Sequence, residues 1–312
     1  MPRTPGTRRP DPFFVRLLRQ KQLIFMSVPL VLYVILFTYV PLWGWTMAFQ
    51  NYKPGLAFPD QTWVGLKWFQ FLFADDTFLQ VLRNTLAMSL INLVLGFVTA
   101  IGLALLLNEV KARFFKRTVQ TLSYLPHFLS WVIVSGLMAS ILSTEGGVIN
   151  DLLLATGLVQ DPIQFLGEPD AFWWIVGFTN VWKEVGWNTI IYLAAISAID
   201  PTLYEAAEID GCNRWQKMMK ITLPGIRPTI VVLLILSIGR ILDSGFELQY
   251  LLRNGQVQDF SDTIDIFVLT FGINSGNYSL ATAAGMFKSV VGIVLIVGAN
   301  FVSKRLGEER IL

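Results

Sequence analysis

The stretch from Glu205 to Pro224 reads EAAEIDGCNRWQKMMKITLP, and it lies between the fourth and fifth long apolar runs of the chain. Ala206 and Ala207 are strong helix formers, whereas Asp210 and Gly211 form a natural break. The segment therefore predicts a short helix, a turn and a second helix carrying Arg214, Lys217 and Lys220. Leu223 and Pro224 are expected to end that second helix before the next apolar run, because proline cannot donate to the helical ladder. Small side chains at Ala206 and Ala207 let another backbone come close, so the loop suits a docking role.

Composition explains why apolar runs flank it. Hydrophobic residues make up 54% of the chain and charged residues 15%, with a mean hydropathy of +0.55. Soluble domains hold roughly 45–50% apolar residues, so this chain belongs in a bilayer. The net charge of +2 is too small to suggest a nucleic-acid partner, and the basic residues cluster beside apolar runs rather than along one face. Cys212 is the single cysteine, which excludes a disulfide within the chain and reads as a packing or surface thiol.

Crossing a hydrocarbon core takes about 20 residues of helix. Six stretches reach that length: Leu23 to Phe49, Val81 to Leu107, Val119 to Leu142, Phe172 to Ile199, Ile230 to Leu252 and Ala281 to Val302. The first is too long for a signal peptide and lacks a small-residue cleavage site, so it reads as a retained anchor.

Orientation follows from lysine and arginine. Arg3, Arg8, Arg9, Arg16, Arg19 and Lys21 precede span one, and Lys111, Arg113, Lys116 and Arg117 follow span two. The Glu205 loop and the C-terminal tail, with Lys304, Arg305 and Arg310, are basic too. These segments are expected to face the cytoplasm. Ser143 to Ala171 carries Glu145, Asp151, Asp161, Glu168 and Asp170 with no lysine or arginine, and should face outward. The aromatics between Asn51 and Leu79 (Tyr52, Phe58, Trp63, Trp68, Phe69, Phe71, Phe73) suit interfacial anchors. Ser261 to Ile273 is expected to be a short external helix capped by Ser261, followed by a polar turn whose Asn277-Tyr278-Ser279 sequon carries no weight.

No glycine-rich phosphate loop ending in Lys-Ser or Lys-Thr is present, so any ATP must be hydrolysed by a partner. His127, the sole histidine, is remote in sequence from Cys212; a metal site or catalytic dyad is not expected, and packing is its simplest role.

Polar groups within the spans mark a candidate substrate path. Arg240, Asp243, Ser244 and Glu247 recur at i, i+3, i+4 and i+7, one face of an uninterrupted helix. Arg240 would lie roughly 15 Å deep at about 1.5 Å per residue, near the bilayer centre. Exposing it to lipid would cost at least ~2.5–3.5 kcal/mol, so the face should look into protein or water. Span four offers Trp182, Lys183, Glu184, Trp187 and Asn188 at comparable depth, and Lys288 in span six either snorkels outward or lines the same cavity. Two roles stay open for these groups. One is an interhelical ion-pair network, Arg240 with Glu184 or Lys183 with Asp243; the other is a sugar chamber with tryptophan faces against sugar rings.

Glu205, Ala206, Ala207, Gly211, Ile221, Leu223 and Pro224 match the "EAA" loop that binding-protein-dependent ABC importer permeases dock into their ATPase subunits, and the chain resembles that family. The run from Trp182 to Thr229, with Ser289-Val290-Val291-Gly292 and Asn300, is similar to the subfamily for complex oligosaccharides and polysaccharide fragments, including aldouronate-type substrates. Cys212 stands where the family is expected to have alanine. The resemblance implies an all-α integral membrane protein of six transmembrane helices with a cytoplasmic coupling helix, Glu205, Ala206, Ala207, Asp210, Gly211, Leu223 and Pro224 forming the ATPase contact. It implies a multi-pass protein of the bacterial cytoplasmic membrane with both termini inside. The partners implied are a second homologous permease, an ATPase dimer that binds ATP and Mg, an external solute-binding lipoprotein and an oligosaccharide.

The expected organisation is a basic tail (1–21), one six-span domain (22–305, coupling loop 200–228) and a C-terminal tail (306–312). No chemistry of its own is expected. An ion-coupled secondary transporter would need paired broken helices in repeated halves, and no such repeat is visible. A membrane enzyme acting on lipid-linked sugars would need a catalytic constellation, and neither that nor a DxD metal motif is evident.

Overall fold

The computed structural model describes residues 20–305, so the basic positions before Gln20 and the tail 306–312 lie outside the described residues. Helix α1 (Lys21–Phe49) leads into a two-stranded antiparallel hairpin, β1 (Gln50–Asn51) with β2 (Thr62–Trp63), then α2 (Lys67–Ala74). Next come α3 (Asp76–Glu109), α4 (Arg113–Tyr124), α5 (Trp131–Ile141), α6 (Val148–Ala155) and α7 (Pro169–Ser197). The coupling segment is α8 (Pro201–Ile209) and α9 (Arg214–Gly225), and α10 (Arg227–Gly239) and α11 (Glu247–Leu252) make the fifth span. The chain finishes with α12 (Gln258–Ser261), α13 (Ile264–Asn274) and α14 (Tyr278–Arg305).

Among the described residues α1, α3 and α14 are each long and apolar enough to cross a membrane alone. Six crossings result when each bent pair counts as one: α4 with α5 (105°), α7 with α8 (70°) and α9 with α10 (54°). The bilayer reading also fits the surface. Phe25, Leu30, Phe37 and Trp43 on α1 and Val98 and Leu106 on α3 are largely exposed, which water would penalise and lipid would not.

The long pair α3 and α7 forms the spine. Its approach is close at Gly177, where an added Cβ would stand 2.6 Å from Ile91 Cγ2. Gly186 lets α4 lie on α7, since a Cβ there would meet the Ser123 carbonyl oxygen at 2.1 Å; Gly239 and Gly292 do the same for α10 and α14. Small residues at helix crossings let backbones approach where dispersion, not water exclusion, drives packing. Polar groups fasten the outer segments. Asn84 Nδ2 donates to the carbonyls of Asp259 and Asp262, and Thr85 Oγ1 accepts the Ile264 amide at 3.1 Å. The buried Ser279 hydroxyl ties α14 to the hairpin, donating to Gln50 O at 2.7 Å and accepting from Tyr52 N at 2.9 Å.

Three expectations are corrected. The third span is no single helix: Leu125–Phe128 form a 3-10 turn around buried Pro126, and Ser130 restarts the helix by accepting the Ile133 amide. The fifth span breaks between Gly239 and Glu247, where Gly245 has φ +93, a left-handed value that suits glycine. Arg240, Asp243, Ser244 and Glu247 consequently do not share one helical face. Ser261 is not the cap of the outer helix; Thr263 caps α13, which packs into the core through Ile264, Ile266 and Phe267. Leu223 and Pro224 do close their helix as expected: α9 ends at Gly225, and the chain bends by 54° into α10.

Candidate functional site

The coupling segment forms the expected helix, turn and helix. Asp200 opens α8 by accepting the Thr202 amide at 2.9 Å; that amide, then the Thr202 hydroxyl, holds its carboxyl below the usual carboxylate range. Gly211 (φ +77) closes α8 in a Schellman turn: its amide donates to Glu208 O at 3.1 Å, and Cys212 N to Ala207 O at 2.9 Å. Asn213 and Gln216 make a capping box that starts α9 two residues later. Tyr204 Oη and Thr222 Oγ1, 2.9 Å apart, join the two helices. Of the docking positions read from the sequence, Glu205, Ala206, Asp210, Gly211 and Pro224 are exposed, Leu223 is half-buried and Ala207 is buried. Reasoning from the loop pattern missed the apolar knobs beside them. Leu203, Ile209 (88% exposed) and Trp215 (66% exposed) stand out from a polar loop, as a surface built to be covered does.

The intramembrane groups divide among three places. Asn188, Arg240 and Asp243 come together on a cavity of about 290 Å³ between α3, α7 and α10. Ser89, Asn92, Phe97, Tyr192 and Ser237 share this lining and were not singled out from sequence, since single hydroxyls and amides in apolar helices leave no periodic signal. Ser89 Oγ and Asn92 Oδ1 are buried without a partner among the described residues.

Ser244 and Glu247 line a second cavity of about 250 Å³ with Trp131, Asn180, Phe246 and Gln249. Its floor is the break in span five, where Gln249 Nε2 donates to the freed Ser244 carbonyl at 2.6 Å. Gln249 Oε1 and Ser244 Oγ are left without partners among the described residues.

Lys183, Glu184 and Trp187 instead serve the elbow of the third span. Lys183 is buried (4% exposed), donates to His127 O at 2.7 Å, lies 3.2 Å from Glu184 and sits 4.9 Å from the Trp131 ring centroid. Glu184 also meets His127 Nδ1 at 2.7 Å, and the His127 and Trp187 rings stack at 4.4 Å. His127 thus packs, as expected, and the ammonium satisfies a carbonyl that the broken helix leaves open. Neither anticipated ion pair forms: Glu184 takes Lys183 and His127, not Arg240, and Asp243 pairs with Lys288, not Lys183. Lys288 points inward rather than snorkelling, and also holds both Asp265 oxygens at 2.7 and 2.9 Å. Trp182 is exposed and outside both cavities. Among the described residues no group of His, Cys, Asp and Glu could hold a metal ion.

Known proteins share this architecture. Residues 92–308 match the family described as binding-protein-dependent transport system inner membrane component. The chain is 47% identical to the polygalacturonan/rhamnogalacturonan transport system permease protein YteP of Bacillus subtilis (strain 168), over 95% of this chain and 92% of that one. It is similar to a chain of a bacterial ABC transporter involved in the import of the acidic polysaccharide alginate, with a TM-score of 0.86 and 40% identity over 94% and 98% of the two chains. A second structure, the alginate ABC transporter in complex with alginate pentasaccharide-bound periplasmic protein, gives a TM-score of 0.88 and 39% identity over 96% and 99%. The chain belongs to the family of binding-protein-dependent transport system inner membrane components.

Proposed function

We propose that this chain, a permease subunit of an ATP-driven carbohydrate importer, moves acidic oligosaccharides inward, with Arg240 meeting a sugar carboxylate. The observation that carries the reading is the state of Arg240. It lines the larger cavity and makes no ion pair or side-chain hydrogen bond with any described residue, while its neighbour Asp243 is engaged by Lys288. An unpaired guanidinium near mid-membrane is costly, and a planar carboxylate is the partner its fork fits. Asn188 offers sugar hydroxyls both a donor and an acceptor, and the Phe97 and Tyr192 rings supply apolar contact. One relative is named for polygalacturonan/rhamnogalacturonan transport and a similar structure for import of the acidic polysaccharide alginate, which agrees.

In this reading residues 22–305 form one six-span domain with both termini in the cytoplasm. A second permease completes the path, an external binding protein delivers cargo, and an ATPase dimer takes the coupling segment. Glu205 gives that dimer a charged contact, Gly211 and Asp210 set the turn, and Leu203, Ile209 and Trp215 fill its groove. ATP-driven closure of the dimer then moves α8 and α9, and the 54° joint between α9 and α10 transmits the movement to the broken fifth span. The test is Arg240→Gln in the reconstituted importer, with transport of a trigalacturonate compared with its methyl-esterified form. Selective loss of the acidic cargo supports the reading; equal transport of both by the wild type and the variant overturns it.

A further inference from the structure

Lys288 and Asp265 lie behind the cavity wall, on α14 and α13, and do not line the cavity. Asp243 does line it, three residues after Arg240 in the turn closed by the Asp243 amide on the Arg240 carbonyl at 2.7 Å. A carboxylate three residues from a guanidinium in one turn, its side chain half exposed (53%), is an available partner for it. Here no ion pair joins the two, and the Lys288 ammonium holds the Asp243 carboxylate.

We propose that Lys288 is a specificity-determining positioning residue: by holding Asp243 it keeps Arg240 free for an acidic cargo. The inference rests on the reading of Arg240 given above and adds the group that sets its state. Lys288 pairs with Asp243 and Asp265, and counted with Arg240 the four charges balance. What Lys288 controls is therefore their arrangement, not the net charge of the chamber. Asp265 grips Lys288 through both oxygens and fixes the ammonium between α13 and α14. Without Lys288, the nearest remaining cation along the turn for Asp243 is Arg240, and an internal pair would fill the guanidinium that the cargo needs. Asp243 then acts as a built-in competitor for the site.

The test uses the complete importer in proteoliposomes and reads the ratio of trigalacturonate to methyl-esterified trigalacturonate transported. Lys288→Gln is expected to lower that ratio about ten-fold, the worth of one charge-assisted hydrogen bond. Adding Asp243→Asn to Lys288→Gln removes the competitor and restores the ratio, and Lys288→Arg keeps it. A Lys288→Gln variant that assembles with an unchanged ratio, while Arg240→Gln destroys the acidic preference, overturns the role of Lys288 and leaves Arg240 standing. Failure of Asp243→Asn to restore the ratio shows that Lys288 is only a strut and likewise overturns the proposal. If Arg240→Gln leaves the acidic preference intact, both fall.

Discussion

Lys183→Met separates a lysine that builds the elbow from one that meets cargo. Methionine keeps the length and apolar stem but leaves the His127 carbonyl, 2.7 Å from Nζ, without a donor inside the protein. An orphaned buried carbonyl costs about 1–3 kcal/mol. The lost contact with the Trp131 ring adds up to about 2 kcal/mol, and release of a desolvated ammonium offsets part of both. Glu184 contributes little to the balance, because its side chain is 30% exposed and keeps His127. A net loss of about 2 kcal/mol corresponds to a fall of about 4–8 °C in the unfolding midpoint for a domain of this size. Thermal unfolding of the purified complex reads it, with the acidic-to-neutral transport ratio measured alongside. The midpoint should fall while the ratio stays at the wild-type value. A normal midpoint with a collapsed acidic ratio would refute the elbow role and return Lys183 to the cargo path.

Other expectations are as direct. Gly211→Val should abolish substrate-stimulated ATP hydrolysis while the protein still inserts, because φ +77 at this position is strained for a β-branched residue; Gly211→Asn should retain much of it, and equal activity in both would remove the turn argument. Gly186→Ala should impair assembly by driving a methyl into the Ser123 carbonyl oxygen, 2.1 Å from an ideal Cβ, a misfit of typically 1–3 kcal/mol that expression and midpoint would both register. The Asp200 cap has a depressed pKa, so its contribution is full above the ordinary aspartate value and is lost as pH falls through the lower folded-state value; coupling measured at acid pH should drop in the wild type and lose that dependence in Asp200→Asn. In a Cys212→Ala background, cysteines at the exposed positions Asp151 and Asp161 should label from outside only, and those at Arg113 and Arg214 from inside only; the reverse pattern would invert the orientation.

By itself the sequence determined what depends on neighbours along the chain. Hydropathy over some twenty residues marked α3, α7 and α14 to within a few residues, because a helix must satisfy its own backbone in lipid. The coupling segment was legible for a related reason: Gly211 closes a helix through bonds to Ala207 and Glu208, and Asn213 opens the next through Gln216, all within five residues. Pro224 was legible too, since proline ends a helix through its own missing donor, and α9 stops at Gly225. The chamber was only half legible. Charges at Arg240, Asp243, Lys183 and Glu184 announced polar business in the membrane, but their pairing was decided by tertiary structure alone. Lys183 finds a carbonyl 56 residues away, and Asp243 finds a cation on α14. Helical spacing had put Arg240 and Glu247 on one face; the break at Gly245 sends them to different cavities. In a medium of low dielectric the nearest counter-charge or open carbonyl claims each ion, and what is nearest is a property of the packed helices rather than of the chain.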